Sequence, residues 1–116
     1  RVINHEKADA KIIAHANLRM GLMYNSGKGG KKDYARALKC YKVAASFGYY
    51  DAHFNIGNLY MTGNGVKKDY QKALHWLRIA AENHHPYAPR FIQLIEKELS
   101  TASVLPKNTK NQGSKS

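Results

Sequence analysis

Apolar residues recur along the chain at the spacing of helices that bury one face. Residues 34–45 and 70–81 both follow the i, i+3, i+4, i+7 pattern, which places their apolar side chains on one side of an α-helix. These side chains are Tyr34, Ala37, Leu38, Tyr41, Ala44 and Ala45, and then Tyr70, Ala73, Leu74, Leu77, Ala80 and Ala81. The pattern predicts two amphipathic helices.

A shorter helix is predicted before each of these, over residues 14–25 and 50–61. Each shorter helix ends at a glycine-rich turn, SGKGG or TGNGV, because glycine readily adopts the left-handed conformations that stop a helix. Asp33 and Asp69 follow these turns, where a carboxylate can accept hydrogen bonds from the free N–H groups of the next helix. Each pair of helices is therefore predicted to form one helix-turn-helix unit.

The two units are copies of one repeat. A shift of 36 positions aligns residues 14–49 with residues 50–85 without a gap, and thirteen positions are identical. They include the glycines of the turns, the Lys-Lys-Asp-Tyr segment and the Ala-Ala pair near the end of each second helix. One unit cannot bury its apolar face alone, so the two units are expected to stack.

The two ends of the chain depart from the repeat. Ile12 stands where the second unit is preceded by the turn residue Gly48, so residues 4–25 are expected to run as one longer helix, with residues 1–13 as the N-terminal cap. Ala88 continues the register of the repeat, so residues 86–100 are predicted to form a closing helix. Residues 101–116 are polar and basic and are predicted to form a disordered tail.

The spacing of the motif resembles the Sel1-like repeat. The second unit carries it as Ala52, Ile56-Gly57, Tyr60, Gly63, Gly65-Val66, Asp69-Tyr70, Ala73-Leu74, Leu77 and Ala80-Ala81. The first unit carries it with one departure, because Gly30 stands where Val66 stands. The resemblance implies an all-α, right-handed α/α solenoid, similar to tetratricopeptide proteins, and a role as an adaptor in multiprotein assemblies.

The resemblance also implies where a partner protein would bind. In such a solenoid the first helix of each pair faces the concave side. The residues of those helices that lie off the predicted buried stripe are Asn17, Arg19, Leu22, His53, Asn55 and Asn58. Asn and Arg side chains can hydrogen-bond an extended peptide backbone or a carboxylate, although ordinary solvated side chains fit the same pattern.

The net charge of +11 adds a second candidate surface. The first unit carries most of the excess, and its candidate patch consists of Lys28, Lys31, Lys32, Arg36, Lys39 and Lys42. The patch could bind an acidic protein partner, or it could be a solvated helix face. In an alternative function, the patch and the lysines of the tail, Lys107–Lys115, would form a basic tether to an anionic membrane surface or to nucleic acid.

Other functional classes lack support in the sequence. No catalytic motif or paired-carboxylate arrangement is present, so a non-enzymatic protein is predicted. The histidines and Cys40 lack zinc-ligand spacing, and no metal or cofactor is expected. The basic composition comes without a helix-turn-helix, zinc-finger or RNA-recognition signature, which argues against nucleic acid. No apolar run is long enough to span a membrane.

Overall fold

The computed structural model describes the backbone of residues 2–28 and 30–115, and the side chains of residues 9–28 and 30–101. All regular structure in this part of the chain is helical. The helices are α1 (Val2–Ser26), α2 (Tyr34–Ser46), α3 (Tyr50–Thr62), α4 (Tyr70–Glu82) and α5 (Ala88–Lys115).

The two predicted aspartate caps are confirmed. Asp33 Oδ1 accepts a hydrogen bond of 3.0 Å from the backbone N–H of Arg36, at the start of α2. Asp69 Oδ1 accepts a bond of the same length from the N–H of Lys72, at the start of α4. Each bond satisfies a donor that the first turn of a helix leaves without a partner.

The turns inside the two repeats have matching geometry. Gly27 and Gly63 have φ values of 78° and 77°, in the left-handed region that favours glycine. After the turn, the backbone N–H of Asp69 donates to the carbonyl of Tyr60 at 2.9 Å, and that of Asp33 donates to Tyr24 at the same distance. The second helix of each pair is thus tied at its start to the end of the first.

The helices pack serially, each against the next one in the chain. One core cluster joins α1, α2 and α3, and its fully buried residues include Tyr41 of α2 and Ile56 of α3. A second cluster joins α4 to α5 and contains Leu77 and Ile95. This arrangement confirms the predicted all-α helical-repeat fold.

A glycine in the first helix of each repeat allows close packing. A β-carbon on Gly57 would lie 2.7 Å from Leu77 Cγ and 3.2 Å from the carbonyl oxygen of Ala73, so no larger residue fits without a shift. On Gly21 it would lie 2.5 Å from Cε1 of Tyr41. The ring of Tyr41 takes up the space beside Gly21.

The helix at the N-terminal end departs from the repeat, whereas the helix at the C-terminal end continues its register. Helix α1 runs through Ile12 without a turn, as predicted. Ala88 and Ile95 of α5 are 0% and 1% exposed, so this helix packs on α4 as a further first helix, with Gln93 at the position of Gly57. Helix α5 continues beyond the predicted cap to Lys115. The side chains of residues 102–116 lie outside the described ones, and the disordered tail stays a prediction.

Candidate protein-interaction surfaces

The predicted concave-face residues of α1 differ in their environments. Arg19 and Leu22 are exposed, and both line a surface groove together with Lys28. Asn17 is half-buried, and its side-chain amide donates a 2.9 Å hydrogen bond to the carbonyl of Ile13 in the preceding turn. Arg19 and Leu22 are therefore more available to a partner than Asn17.

Asn55 and Asn58 project from adjacent turns of α3. Both side chains are half-buried. Neither side-chain amide forms a hydrogen bond to another residue within the described part of the chain, although each carries two donors and an acceptor. Polar groups of this kind are satisfied by water or by a bound molecule.

The predicted placement of His53 off the buried stripe is wrong. Its side chain is only 8% exposed, and Nδ1 lies 3.0 Å from the carbonyl oxygen of Tyr49. The imidazole ring centroid lies 5.5 Å from those of both Tyr50 and Trp76. Trp76 of α4 covers His53, whereas the repeat-equivalent residue is the smaller Cys40. The two repeats therefore differ at this position.

The predicted basic patch is exposed at all six positions: Lys28, Lys31, Lys32, Arg36, Lys39 and Lys42. Arg36 Nε lies 3.5 Å from Asp33 Oδ2, and its guanidinium carbon lies 5.9 Å from the ring centroid of Tyr24. The Arg36 side chain is still 67% exposed, so solvent screens this ion pair and it adds little to stability. None of the five lysines is ion-paired to another described residue.

A third surface was missed by the sequence analysis. Ile12, Ala16, Met20 and Met23 form an apolar stripe along α1, which we call the N-terminal edge. Ile12, Met20 and Met23 are 64%, 43% and 51% exposed. The 36-residue alignment contained the signal, because it places Met20 at the position of Ile56 and Met23 at that of Leu59, both of which are buried in the second repeat.

Neither a metal-binding cluster nor a membrane-spanning helix is present in the described part of the chain. Within residues 9–28 and 30–101, no three His, Cys, Asp or Glu side chains are grouped closely enough to hold a metal ion. Among the described helices, none is both long and apolar enough to cross a bilayer.

The serially packed helix pairs, with copied caps and turns, define a helical-repeat protein of the α-solenoid class. The family model of the Sel1 repeat matches residues 14–49 and 51–85. The chain belongs to the Sel1 repeat family. Proteins of this family generally mediate protein–protein interactions, and the fold is typically a non-catalytic interaction module.

Two solved structures are similar to this chain. One is a Sel1 repeat protein from Oxalobacter formigenes, with 33% sequence identity and a TM-score of 0.69 over 73% of this chain and 35% of that protein. The other is c5321, a protective antigen of uropathogenic Escherichia coli strains that displays an SLR fold, with 40% identity and a TM-score of 0.63 over 65% of this chain and 16% of that protein. This chain thus spans about a third or less of their lengths. The comparison with curated proteins finds no match.

Proposed function

We propose that the chain is a non-enzymatic adaptor that binds a partner protein or peptide within a larger complex, through the first helices of its repeats. The observation that carries the proposal is the pair Asn55 and Asn58, whose half-buried amides lie on adjacent turns without a hydrogen-bond partner in the described part of the chain. An extended peptide offers both N–H donors and carbonyl acceptors, which an asparagine amide matches.

Arg19 and Leu22 support the same face. They occupy the repeat positions of Asn55 and Asn58 on α1, and both are exposed. An arginine can form two parallel hydrogen bonds to a carboxylate, and Leu22, which is 45% exposed, adds an apolar contact. The proposed partner therefore combines peptide backbone with an acidic group.

The exposed basic patch favours an acidic partner as well. Lys39 and Lys42 carry no compensating ion pair with another described residue, so their field attracts negative charge. The same patch supports the second candidate function, a basic tether to an anionic membrane surface or nucleic acid. The two functions differ in their response to salt, because purely electrostatic binding weakens steeply as ionic strength rises.

Affinity capture from native lysate at low and high salt, followed by mass spectrometry, tests the adaptor function. The test variant is Asn55→Ala with Asn58→Ala. The control is Gln71→Ala with Gln93→Ala, which removes two exposed side-chain amides elsewhere and leaves the net charge unchanged. Circular dichroism establishes that both variants keep the helicity of the wild type.

A discrete protein that survives high salt, is lost with the asparagine variant and is retained by the control is the expected result. Recovery of only salt-sensitive nucleic acid or lipid, unchanged in the asparagine variant, would replace the adaptor by the basic tether. Capture of the same protein by the asparagine variant would move the binding site off this face.

A further inference from the structure

The N-terminal edge repeats a surface that is buried elsewhere in the molecule. A shift of 36 residues places Met20 and Met23 at the positions of Ile56 and Leu59. Ile56 and Leu59 are 0% and 2% exposed, whereas the two methionines are 43% and 51% exposed. Ala16 shows the same contrast, since it is exposed and its equivalents Ala52 and Ala88 are fully buried.

A helix covers this surface wherever it is buried. In the second repeat the covering helix is α2, because Ile56 and Leu59 share a core cluster with Leu38, Tyr41 and Ala45. On α5 the covering helix is α4. Ile95, which lies 36 residues after Leu59, is 1% exposed and clusters with Leu74 of α4. The N-terminal edge is therefore shaped to receive an amphipathic helix in the place of α2.

Residues 2–13 do not supply that helix. At Gly48 the chain turns between α2 and α3, with φ of 89°. At the equivalent Ile12, α1 continues without a turn and extends back to Val2. Residues 2–13 thus lengthen α1 and add Ile12 to its apolar stripe, rather than folding across it.

The charges around the N-terminal edge indicate what kind of helix would bind there. The grooves beside Met20 and Met23 are lined by Lys11, Arg19, Lys28 and Lys31, and by no acidic residue. The exposed faces of α2 carry Arg36, Lys39 and Lys42, so α2 of a second copy would bring like charges together. A helix with acidic flanks meets the edge with complementary charge.

We propose that the N-terminal edge is a docking site for an acidic amphipathic helix of a partner protein, which packs on Met20 and Met23 as α2 packs on Ile56 and Leu59. This site shares Arg19 with the concave-face adaptor site but contains neither Asn55 nor Asn58, so the asparagine variant and the methionine variants test the two sites separately. An apolar stripe at i, i+3, i+4 and i+7 fills the edge, and Asp or Glu residues beside the stripe pair with Lys11, Lys28 and Lys31.

A peptide derived from α2 provides the probe. It carries residues 33–47 with Arg36, Lys39 and Lys42 each replaced by Glu and Cys40 by Ala, so that it keeps the buried stripe and the Asp33 cap. Its fluorescein-labelled form is titrated with the whole chain and followed by fluorescence anisotropy. We expect saturable binding, and we expect Met20→Glu and Met23→Glu each to weaken it by about tenfold or more, because both side chains would be central in the interface.

Two controls isolate the packing contribution. Leu94→Glu makes the same charge change at another exposed apolar position, on α5, and binding should be unchanged. Met23→Leu keeps an apolar side chain and should restore the wild-type affinity to within about threefold. The peptide with its original Arg36, Lys39 and Lys42 should bind at least about tenfold more weakly than the acidic one.

The proposal is overturned if the acidic peptide does not bind saturably, or if it binds the methionine variants as tightly as the wild type. Two parallel measurements test whether a membrane surface or a second copy of the chain binds the N-terminal edge instead. Sedimentation with phosphatidylglycerol vesicles that is lost in Met23→Glu, without peptide binding, would assign the edge to a membrane surface. A dimer in analytical ultracentrifugation that Met23→Glu converts to monomer would assign it to a second copy of the chain.

Discussion

Replacing Tyr41 by Phe should stabilise the protein. The side chain of Tyr41 is fully buried, and its hydroxyl has no hydrogen-bond partner among the described residues. A buried polar group left in this condition costs about 1–3 kcal/mol relative to its hydrated state. The second repeat places Leu77, also fully buried, at the equivalent position, so an apolar side chain is compatible with this packing.

The expected gain is about 1 kcal/mol near neutral pH. Phe keeps the ring that packs against Gly21 and loses only one oxygen, whose space is about 10–15 Å³ and costs about 0.3 kcal/mol as a cavity. For a domain of this size, 1 kcal/mol raises the midpoint of thermal unfolding by about 4–8 °C. Urea denaturation followed by far-ultraviolet circular dichroism gives the difference directly.

The advantage of Tyr41→Phe should grow at alkaline pH. Burial, with a smaller contribution from the charge of neighbouring Cys40, raises the pKa of Tyr41 from 10.0 to about 12. Between these values the unfolded wild type releases this proton and the folded wild type retains it, so the free energy of unfolding falls by about 1.4 kcal/mol per pH unit. The variant lacks this group. Because both proteins share every other ionising residue, their difference isolates the contribution of Tyr41.

Tyr87→Phe is the matched control, because Tyr87 is 64% exposed and loss of its hydroxyl should leave stability unchanged to within about 0.5 kcal/mol. The reasoning is refuted if Tyr41→Phe is less stable than wild type near neutral pH, since the hydroxyl would then have a favourable partner. It is also refuted if the difference between the two proteins stays constant from pH 7 to pH 12.

Three further substitutions test the packing and the caps. Gly57→Ala should destabilise the protein by at least about 1 kcal/mol, because the clash of the new methyl group with Leu77 costs more than the higher helix propensity of alanine gains. Chemical denaturation measures this loss. Asp69→Ala should cost about 1 kcal/mol in the same assay and Asp69→Asn much less, because asparagine still accepts the capping hydrogen bond; equal losses would contradict the cap. His85→Ala should lower the thermal midpoint, with a loss of about 1–2 kcal/mol, because the His85 ring stacks on Phe54 with centroids 4.2 Å apart; an unchanged midpoint would exclude a contribution from the stack.

The repeated features of the fold could be predicted from the sequence because each has a local cause. Asp33 and Asp69 cap helices through bonds to residues three positions away, and Gly27 and Gly63 supply a backbone conformation that other residues rarely adopt. Such features depend on neighbours along the chain. The 36-residue alignment therefore located both helix pairs within a few residues of their bounds in the structure.

The candidate surfaces were harder to predict because they depend on contacts between repeats. The repeat pattern treats His53 and Asn17 as equivalent, but Trp76 covers His53 and no tryptophan occupies the corresponding place in the first repeat. Met20 and Met23 have the apolar character of core residues, and they are exposed because none of the described helices packs across them. Helical periodicity identifies an apolar stripe but does not say which helix covers it.

The first and last helices of the described stack differ in the surface that they offer to another helix. Helix α5 lies at the opposite end from the N-terminal edge, and it carries Gln93 where the other first helices carry Gly21 and Gly57. Because that glycine allows the close approach of a second helix, α5 cannot receive one in the same way. The two ends of the described stack therefore present different surfaces, an exposed apolar stripe on α1 and a helix without the close-packing glycine on α5, so a helix that fits one would not fit the other.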